Sequence, residues 1–374
     1  MTTIPVGQGD STVIRCPSSG DISIIDMGCD GGCQGMSLEQ YVTHIETEFL
    51  GNDFKRLKKV FLTHPDDDHM NYGYDKGIKE GLLEKWLKKG VSLDIYLGDR
   101  DAWVKAKGDF VTWLESNKNK FNLIWPSFID NDGNENGWEW KRDVQICSRT
   151  NSQPDTKINM ITSDLVTNPP IPNQPDSNKN ARSMIMSLMI EDKKKMLFLG
   201  DFEKQSSYNF LLNPELDFVY EISNHDILMV PHHGSGSSGN PNVRFYNVVN
   251  PKYAIVSSAM WSSYKHPKME TLEAICRKRT IAVEPEYVSK PIGWISVWKY
   301  VEMGEDEFPQ EFFGLQEVQD CDVEIFQTSK VIGIKKYRLY RIVSKISATK
   351  PSTVVSIPYK DIPEPVGIDA TNSE

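Results

Sequence analysis

The pattern of apolar and polar residues along this chain predicts both strands and helices. Short apolar runs bounded by turn residues indicate strands, and apolar positions spaced by one helical turn indicate an amphipathic helix. The predicted strands are Ser11–Arg15, Ile22–Asp26, Lys59–Leu62, Val91–Leu97, Ser183–Ile190, Lys195–Leu199, Ile227–Val230, Tyr253–Ser257, Thr280–Val283, Trp294–Trp298 and Tyr337–Ile346. The predicted helices are Ser37–Phe49 with Ser37 as N-cap, residues 75–90 and residues 269–278. Strands interleaved with helices and long loops predict an α/β protein with layered sheets.

Length and composition indicate a folded chain with one large domain or two smaller ones. The 374 residues are 39% hydrophobic and 25% charged, which is ordinary for a globular protein. Residues 131–180 are polar and rich in Asn and Pro, and we expect an irregular insertion there. Residues 350–374 hold four prolines and few large apolar side chains, so we expect a disordered tail.

The charge balance limits the partners that the chain can bind. A formal net charge of −10 argues against broad neutralisation of nucleic-acid phosphates, although a local basic patch such as Lys335–Arg341 stays open. No run of about 18 apolar residues occurs, and the N-terminus lacks the features of a secretion signal. We therefore expect a cytoplasmic protein with no membrane association, and the oligomeric state stays open.

The six cysteines are scattered over a chain too large to need a disulfide framework. Only Cys29 and Cys33 lie close together in the sequence, and no second Cys or His pair stands nearby to complete a zinc knuckle. We expect free thiols at these two positions, with a redox or metal role as the alternative.

The segment His64–His69 places two imidazoles and three carboxylates directly after an apolar strand. Adjacent carboxylates repel one another, and a bound dication removes that cost. In an extended loop, alternate residues point the same way, so His64, Asp66 and Asp68 face one side while His69 turns in from the next position. This arrangement suits two metals that share a short segment. The alternative is an acidic surface loop or a simple calcium loop.

Two further strands end on possible ligands. The strand that ends at Leu199 is followed by Gly200 and Asp201, although a turn carboxylate alone is weak evidence for a site. The strand that ends at Val230 delivers His232 and His233 to a loop. Paired imidazoles at a strand end need polar partners, so they are rarely packing residues.

These segments resemble, in order, the motifs of metallo-β-lactamase-fold hydrolases. The matching segments are Val6–Ser11, Ile25–Gly28, Thr63–His69, Leu199–Asp201, Pro231–Ser235 and Tyr264–Pro267. Most closely, the chain resembles the hydrolase domain of ComEC-type competence proteins and its stand-alone relatives, over roughly residues 4–300. The resemblance implies an αββα sandwich of two mixed sheets with helices on the outer faces. It implies a hydrolase domain over residues 1–300, followed by a C-terminal extension over residues 301–349.

The resemblance also implies a role for each metal ligand. The implied ligands are His64 and Asp66 for one metal, Asp68, His69 and His233 for the other, and Asp201 as the bridge. A water activated by the metals would be the nucleophile, and Asp68 would orient it.

Other residues of the matching motifs receive roles in catalysis or support. His232 is either a ligand or the acid that protonates the leaving group, and both possibilities stay open. His266 would contact a substrate oxygen, and Asp10 and Asp26 would brace the loops.

The chain departs from the general fold pattern at two positions. Asp66 stands where most members of the fold have a second histidine, as is common in the ComEC-like branch. This oxygen ligand makes the site harder, so Mn²⁺ competes with Zn²⁺ as the divalent ion. A further histidine of many members is missing from residues 178–183, so we expect the first metal to be weakly held.

The fold alone does not define the reaction. Two dications suit an in-line displacement at phosphorus, and neutral imidazoles can stabilise a charged phosphoryl group. The sequence therefore predicts a phosphodiesterase or nuclease that acts on a small phosphodiester or on single-stranded nucleic acid. The alternatives are a lactone, thioester or β-lactam hydrolase, and a metal-binding sensor that lacks turnover.

Overall fold

The architecture comes from a computed structural model. It describes residues 1–4, 6–29, 37–51, 53–74, 79–106, 108–125, 142–151, 154–162, 179–203, 208, 211–212, 218–236, 243–251, 253–258, 266, 268, 271, 294–300, 323–327, 330–333, 337–344 and 355–356.

The first sheet is mixed and has the order β17-β1-β2-β3-β4-β5-β6. Its strands are β1 (Thr2–Thr3), β2 (Ser11–Arg15), β3 (Ile22–Met27), β4 (Leu57–Leu62), β5 (Asp94–Leu97), β6 (Asn122–Ile124) and β17 (Val355–Ser356). Strands β1, β2 and β3 pair antiparallel, whereas β3 to β6 run parallel. Parallel strands end at the same edge, so the loop after β4 lies at the edge where β3 and β5 also end.

The second sheet is also mixed and has the order β15-β14-β16-β13-β12-β11-β10-β9-β8-β7. Its strands are β7 (Arg142–Cys147), β8 (Thr156–Thr162), β9 (Ile185–Ile190), β10 (Lys193–Phe198), β11 (Ile227–Met229), β12 (Tyr253–Ser257), β13 (Trp294–Tyr300), β14 (Val323–Gln327), β15 (Lys330–Gly333) and β16 (Tyr337–Ser344). Strands β7 to β10 pair antiparallel, and β10, β11 and β12 run parallel.

Short helices connect the strands. They are α1 (Leu38–His44), α2 (Asp67–Met70), α3 (Leu82–Lys88), α4 (Arg100–Ala106), α5 (Asp109–Ser116), α6 (Phe218–Ile222) and α7 (Val243–Val249). A π-helical turn over Ile45–Leu50 continues α1, and 3-10 turns span Phe54–Arg56, Asn180–Arg182 and Pro231–Gly234. Ser37 caps α1 as predicted, because its side chain accepts from the Gln40 N–H in a reciprocal capping box.

Period-two alternation in the first sheet builds two apolar layers. Val60 of β4 packs in the layer that includes Trp86 of α3, on the helix side. Phe61, one residue on, points to the other face and packs in the layer between the two sheets, where its ring stacks on Tyr96 at 4.6 Å between centroids. The sheets therefore face each other across a shared core that Met186 and other second-sheet residues complete.

The predicted two-layered α/β architecture is confirmed, and most predicted strands lie within a few residues of the observed bounds. The irregular insertion expected over residues 131–180 is wrong where β7 and β8 form an edge hairpin of the second sheet. Lys157 and Asn159 of β8 are half-buried and flank the buried Ile158, a short alternation that the prediction missed within this polar region. Helices α4 and α5 were not predicted.

Several predicted elements lie in segments that the structure describes only in part or not at all. Residues 280–283 lie outside the described residues, as do residues 269–278 apart from Thr271. Within the expected tail over residues 350–374, the described part is β17, which pairs with β1. Strands β14, β15 and β16 continue the second sheet, and the domain boundaries at residues 300 and 349 stay a prediction.

The free thiol expected at Cys29 is wrong, and Cys16 and Cys147 are paired although the sequence implied no disulfide framework. Cys16 and Cys147 form a disulfide, and Cys29 is also disulfide-bonded. Cys16 follows β2 of the first sheet, whereas Cys147 ends β7 of the second sheet, so their bond connects the two sheets. The two cysteines are 131 positions apart, which is why spacing alone does not reveal the pair. Cys33 lies outside the described residues.

Candidate metal centre

The predicted ligands converge from the ends of strands in both sheets. His64 follows β4 of the first sheet, Asp201 follows β10, and His232 and His233 follow β11 of the second sheet. Met184 N–H, just before β9, donates to the Thr63 carbonyl and so joins the loop after β4 to the second sheet. His232 N–H donates to the Gly200 carbonyl and so joins the loops after β10 and β11. The site is therefore assembled between the two sheets.

Four side chains form a compact half-site, here called the second half-site. They are Asp68, His69, Asp201 and His233, whose ligand atoms lie within 4.8 Å of one another. His69 Nε2 lies 2.9 Å from Asp201 Oδ1, and His233 Nε2 lies 3.2 Å from Asp68 Oδ2. Two imidazoles and two carboxylates at this separation could hold one divalent ion.

His64, Asp66 and Asp201 form a looser group, here called the first half-site. His64 Nε2 lies 3.6 Å from Asp66 Oδ2 and 3.8 Å from Asp201 Oδ2. His64 is fully buried, and its Nε2 has no hydrogen-bond partner in the part of the chain that the structure describes. A buried imidazole nitrogen without a partner is costly, and a metal ion among these carboxylates would satisfy it. The residues therefore fit a second ion.

Asp201 contacts both half-sites through different oxygens. Its Oδ1 faces His69 and His233, the latter at 3.4 Å, whereas its Oδ2 faces His64 and His232 at 3.8 and 3.6 Å. This division is the geometry that a bridging carboxylate requires. It also places His232 beside the first half-site.

Buried partners orient the imidazoles. Asp26 accepts hydrogen bonds from Thr63 N–H and Oγ1–H, both at 2.8 Å, and from His69 Nδ1–H at 2.9 Å. His233 Nδ1–H donates to the Ser257 carbonyl at 2.9 Å. These bonds fix the Nδ1 tautomers and turn both Nε2 atoms towards the site.

The backbone around the site is unusually close and strained. His232 and His233 adopt a φ of 51°, and Asp26 adopts 53°, in the left-handed region that non-glycine residues seldom occupy. Gly28 permits the close approach of α2, because a Cβ there would overlap the backbone of Asp68 and the next residue. The fold maintains this strain where the ligands meet.

The protein's own charges shift the titration of the site. Burial raises the pKa of the Asp66 carboxyl, but His64 and Lys179 outweigh it and bring the pKa to about 2. Burial lowers the pKa of His233, but Asp201 and Asp68 raise it to about 9. Burial of the Asp10 carboxyl raises its pKa to about 6. Asp201 and Asp68 thus stabilise positive charge at the site.

A cavity of about 500 Å³ opens over both half-sites. Its lining includes the predicted residues Asp66, Asp68, Asp201, His232, His233 and His266. The His266 ring centroid lies 5.9 Å from that of His232. Burial, followed by the charges of His233 and His232, lowers the pKa of His266 to about 3, so its ring is neutral near pH 7.

Sequence reasoning missed four residues at or beside the cavity. Gln8, Lys179 and Asn180 line it, and Glu203 contacts His232 Nδ1 through Oε2 at 3.1 Å. Gln8 lies in the first matching motif, and Glu203 follows Asp201 by two positions. Lys179 lies in the segment singled out for its missing histidine, so proximity to the motifs was the available signal.

Comparison with known proteins places this site in context. No family model matches the chain. In sequence, the chain is similar to ComE operon protein 3 of Bacillus subtilis (strain 168), with 23% identity over 285 residues, or 73% of this chain. The chain spans only 30% of that protein's length.

Three solved structures are also similar. The metallo-beta-lactamase fold protein YhfI from Bacillus subtilis is 12% identical, with 73% of this chain and 92% of that chain covered and a TM-score of 0.38. The short form of human tRNase Z is 13% identical, with 69% of this chain and 92% of that chain covered and a TM-score of 0.34. Igni18 from Ignicoccus hospitalis is 11% identical, with 68% of this chain and 81% of that chain covered and a TM-score of 0.35.

The resemblance to metallo-β-lactamase-fold proteins is confirmed. Two facing mixed sheets and a His/Asp cluster at their strand ends are the expected architecture, and the sequence similarity supports the link to the ComEC-like branch. Within the described part of the chain, every helix is too short or too polar to cross a membrane.

Proposed function

We propose that this chain is a metal-dependent hydrolase that cleaves phosphodiesters. The observation that carries the proposal is the pair of half-sites that share Asp201 at the floor of an open cavity. His64 and Asp66 would hold one ion, and Asp68, His69 and His233 the other. Once bound, two divalent ions supply an activated water and stabilise the charge that develops on the phosphoryl oxygens.

Asp68 is placed to orient the attacking water. Its Oδ2 lies 3.2 Å from Nε2 of His233, the fellow ligand of the second half-site, and its other oxygen is not part of that contact. The main chain holds Asp68 in position, because its carbonyl accepts from Asp10 N–H at 3.1 Å. A carboxylate so fixed can accept the proton of a water molecule above it.

His232 is the proposed general acid. Its Nδ1 contacts Glu203, and its Nε2 faces Asp201 Oδ2 on the cavity side. Burial lowers the pKa of His232, but Asp201 and Glu203 outweigh it and raise the pKa above its ordinary value. These two carboxylates therefore favour the protonated ring, which can give its proton to a leaving oxygen. His266, whose ring is neutral, would contact a substrate oxygen.

The ligand chemistry favours a phosphodiester over carbon-centred substrates. Asp66, Asp68 and Asp201 make an oxygen-rich site that suits Mn²⁺ or Zn²⁺ and phosphate oxygens. Lys179 adds a cation to the cavity wall. The net charge of −10 disfavours a long duplex, so a small phosphodiester or single-stranded nucleic acid is the proposed substrate.

A parallel assay with Mn²⁺ and with Zn²⁺ tests the substrate class. The substrates are bis-p-nitrophenyl phosphate, single-stranded DNA, a chromogenic lactam and a thioester. We expect cleavage of the model diester. Hydrolysis of the lactam or thioester alone would overturn the phosphodiesterase proposal. Silence on all four substrates with metal bound would favour a sensor of the same fold.

The cytoplasmic location stays a prediction. The Cys16–Cys147 disulfide weighs against it, because disulfides persist mainly in oxidising compartments. Fractionation with a thiol-labelling assay of these two cysteines addresses the question directly.

A further inference from the structure

A lysine ammonium reaches into the first half-site. Lys179 Nζ contacts Asp66 Oδ1, on the carboxylate whose other oxygen faces His64 Nε2. The Lys179 side chain is 47% exposed, whereas that of Asp66 is 19% exposed. The ammonium therefore approaches Asp66 from the open side of the cavity.

The position of Lys179 is set by a buried anchor. Lys179 precedes the 3-10 turn Asn180–Arg182, and its carbonyl accepts from Arg182 N–H at 3.1 Å. The Arg182 guanidinium pairs with Asp99 at 2.8 Å, with both side chains almost fully buried. One residue further on, Ser183 Oγ accepts from the Asp201 N–H at 3.1 Å. The turn that carries Lys179 is thus bonded to the bridging ligand.

The two half-sites are not equivalent. The second half-site offers four ligand atoms within 4.8 Å of one another. The first half-site offers His64, Asp66 and Oδ2 of Asp201, and His64 Nε2 has no hydrogen-bond partner among the described residues. One side is compact, and the other has an ammonium ion beside one of its few ligands.

We propose that Lys179 is an intrinsic cation that competes with the metal for Asp66, so that the chain binds one divalent ion tightly and the second ion weakly. The inference rests on the metal centre of the proposed function. Binding of the ion through both oxygens of Asp66 would require the Lys179 ammonium to leave Oδ1. Until then, the lysine charge repels a dication and shields the carboxylate.

The expected effect follows from Coulomb's law. Removing one positive charge a few ångströms from a dication, at the effective dielectric constant of a half-exposed site, strengthens binding by roughly 10- to 100-fold. The effect should be largest at the first half-site, because Lys179 contacts Asp66, a ligand of that half-site, and the Coulomb energy falls with distance.

Calorimetric titration of the metal-free full chain with Zn²⁺, and separately with Mn²⁺, tests the proposal. The variants are Lys179→Met, which keeps the length of the side chain and removes its charge, and Lys179→Arg, which keeps the charge. Lys58→Met is the matched control, because the Lys58 side chain is also 47% exposed and pairs with a carboxylate, Asp21, at 3.7 Å. Thermal melts of the metal-free proteins check that each variant is folded.

We expect two unequal binding events in the wild type, with the weaker event tightened by 10-fold or more in Lys179→Met only. Equal affinities in the wild type, or an unchanged weak event in Lys179→Met, would overturn the role of Lys179 and leave the proposed hydrolase intact. The absence of any metal binding would overturn both. Hydrolysis of the model diester by wild type and variants, measured separately, reports on the proposed function alone.

Discussion

Replacement of Asp26 by Asn tests how the buried shell controls the metal centre. Asp26 accepts three hydrogen bonds, two from Thr63 and one from His69 Nδ1. Asparagine has the same shape and tolerates the positive φ of 53° at this position, so the backbone strain is unchanged. The substitution therefore changes one acceptor oxygen into an NH₂ donor and removes the carboxylate charge, while the shape of the side chain is kept.

The expected cost has two parts. If the new NH₂ faces His69 Nδ1, the imidazole must accept there and carry its proton on Nε2, the atom that faces Asp201. Loss of such a supporting carboxylate typically weakens metal binding by about 10- to 100-fold. If the NH₂ instead faces Thr63, a buried donor loses its acceptor, which destabilises the fold by about 1–3 kcal/mol.

Competition with a chromophoric chelator measures the metal affinity of Asp26→Asn, and urea unfolding of the metal-free protein measures its stability. Asp226→Asn is the matched control, because Asp226 is equally buried at 2% and pairs with Lys195 away from the site. We expect the control to lose stability but not metal affinity. An Asp26→Asn protein that binds Zn²⁺ as tightly as the wild type and keeps its stability would refute the assigned role of this carboxylate.

Three further predictions concern the bridge, the disulfide and a buried histidine. Asp201→Ala should lose both ions and all activity, whereas His232→Ala should retain metal and lose about 10²- to 10⁴-fold in rate; wild-type turnover in both would contradict the roles assigned here. Reduction of Cys16–Cys147 opens a loop of 131 residues, so the unfolding free energy should fall by up to roughly 5 kcal/mol in the wild type. The fall should be smaller in a Cys16→Ser/Cys147→Ser protein, which keeps the disulfide of Cys29. Burial lowers the pKa of His225 from 6.5 to about 3, so as the pH falls the unfolded chain takes up this proton before the folded chain does. The unfolding free energy should therefore fall by about 1.4 kcal/mol per pH unit below pH 6.5. His225→Asn should show a smaller dependence of the unfolding free energy on pH.

The local features of this protein were predictable from the sequence because short-range physics sets them. The Ser37 cap of α1 depends on a side chain and an amide three residues apart, and the strand that ends at Leu62 depends on a run of neighbouring apolar residues. The motif segments could be assigned to strand ends for the same reason. Their convergence was an expectation from the resemblance, since nothing local relates His64 to Asp201.

The tertiary structure decided how those segments act together. Which oxygen of Asp201 faces which histidine, and which side of the site His232 occupies, depend on the packing of two sheets. Lys179 reaches Asp66 because a turn more than a hundred positions away is anchored beside it. The polar edge strands β7 and β8 and the Cys16–Cys147 bond likewise depend on partners distant in the sequence. Local patterns do not encode such contacts, because the pairing is set by the folded core as a whole.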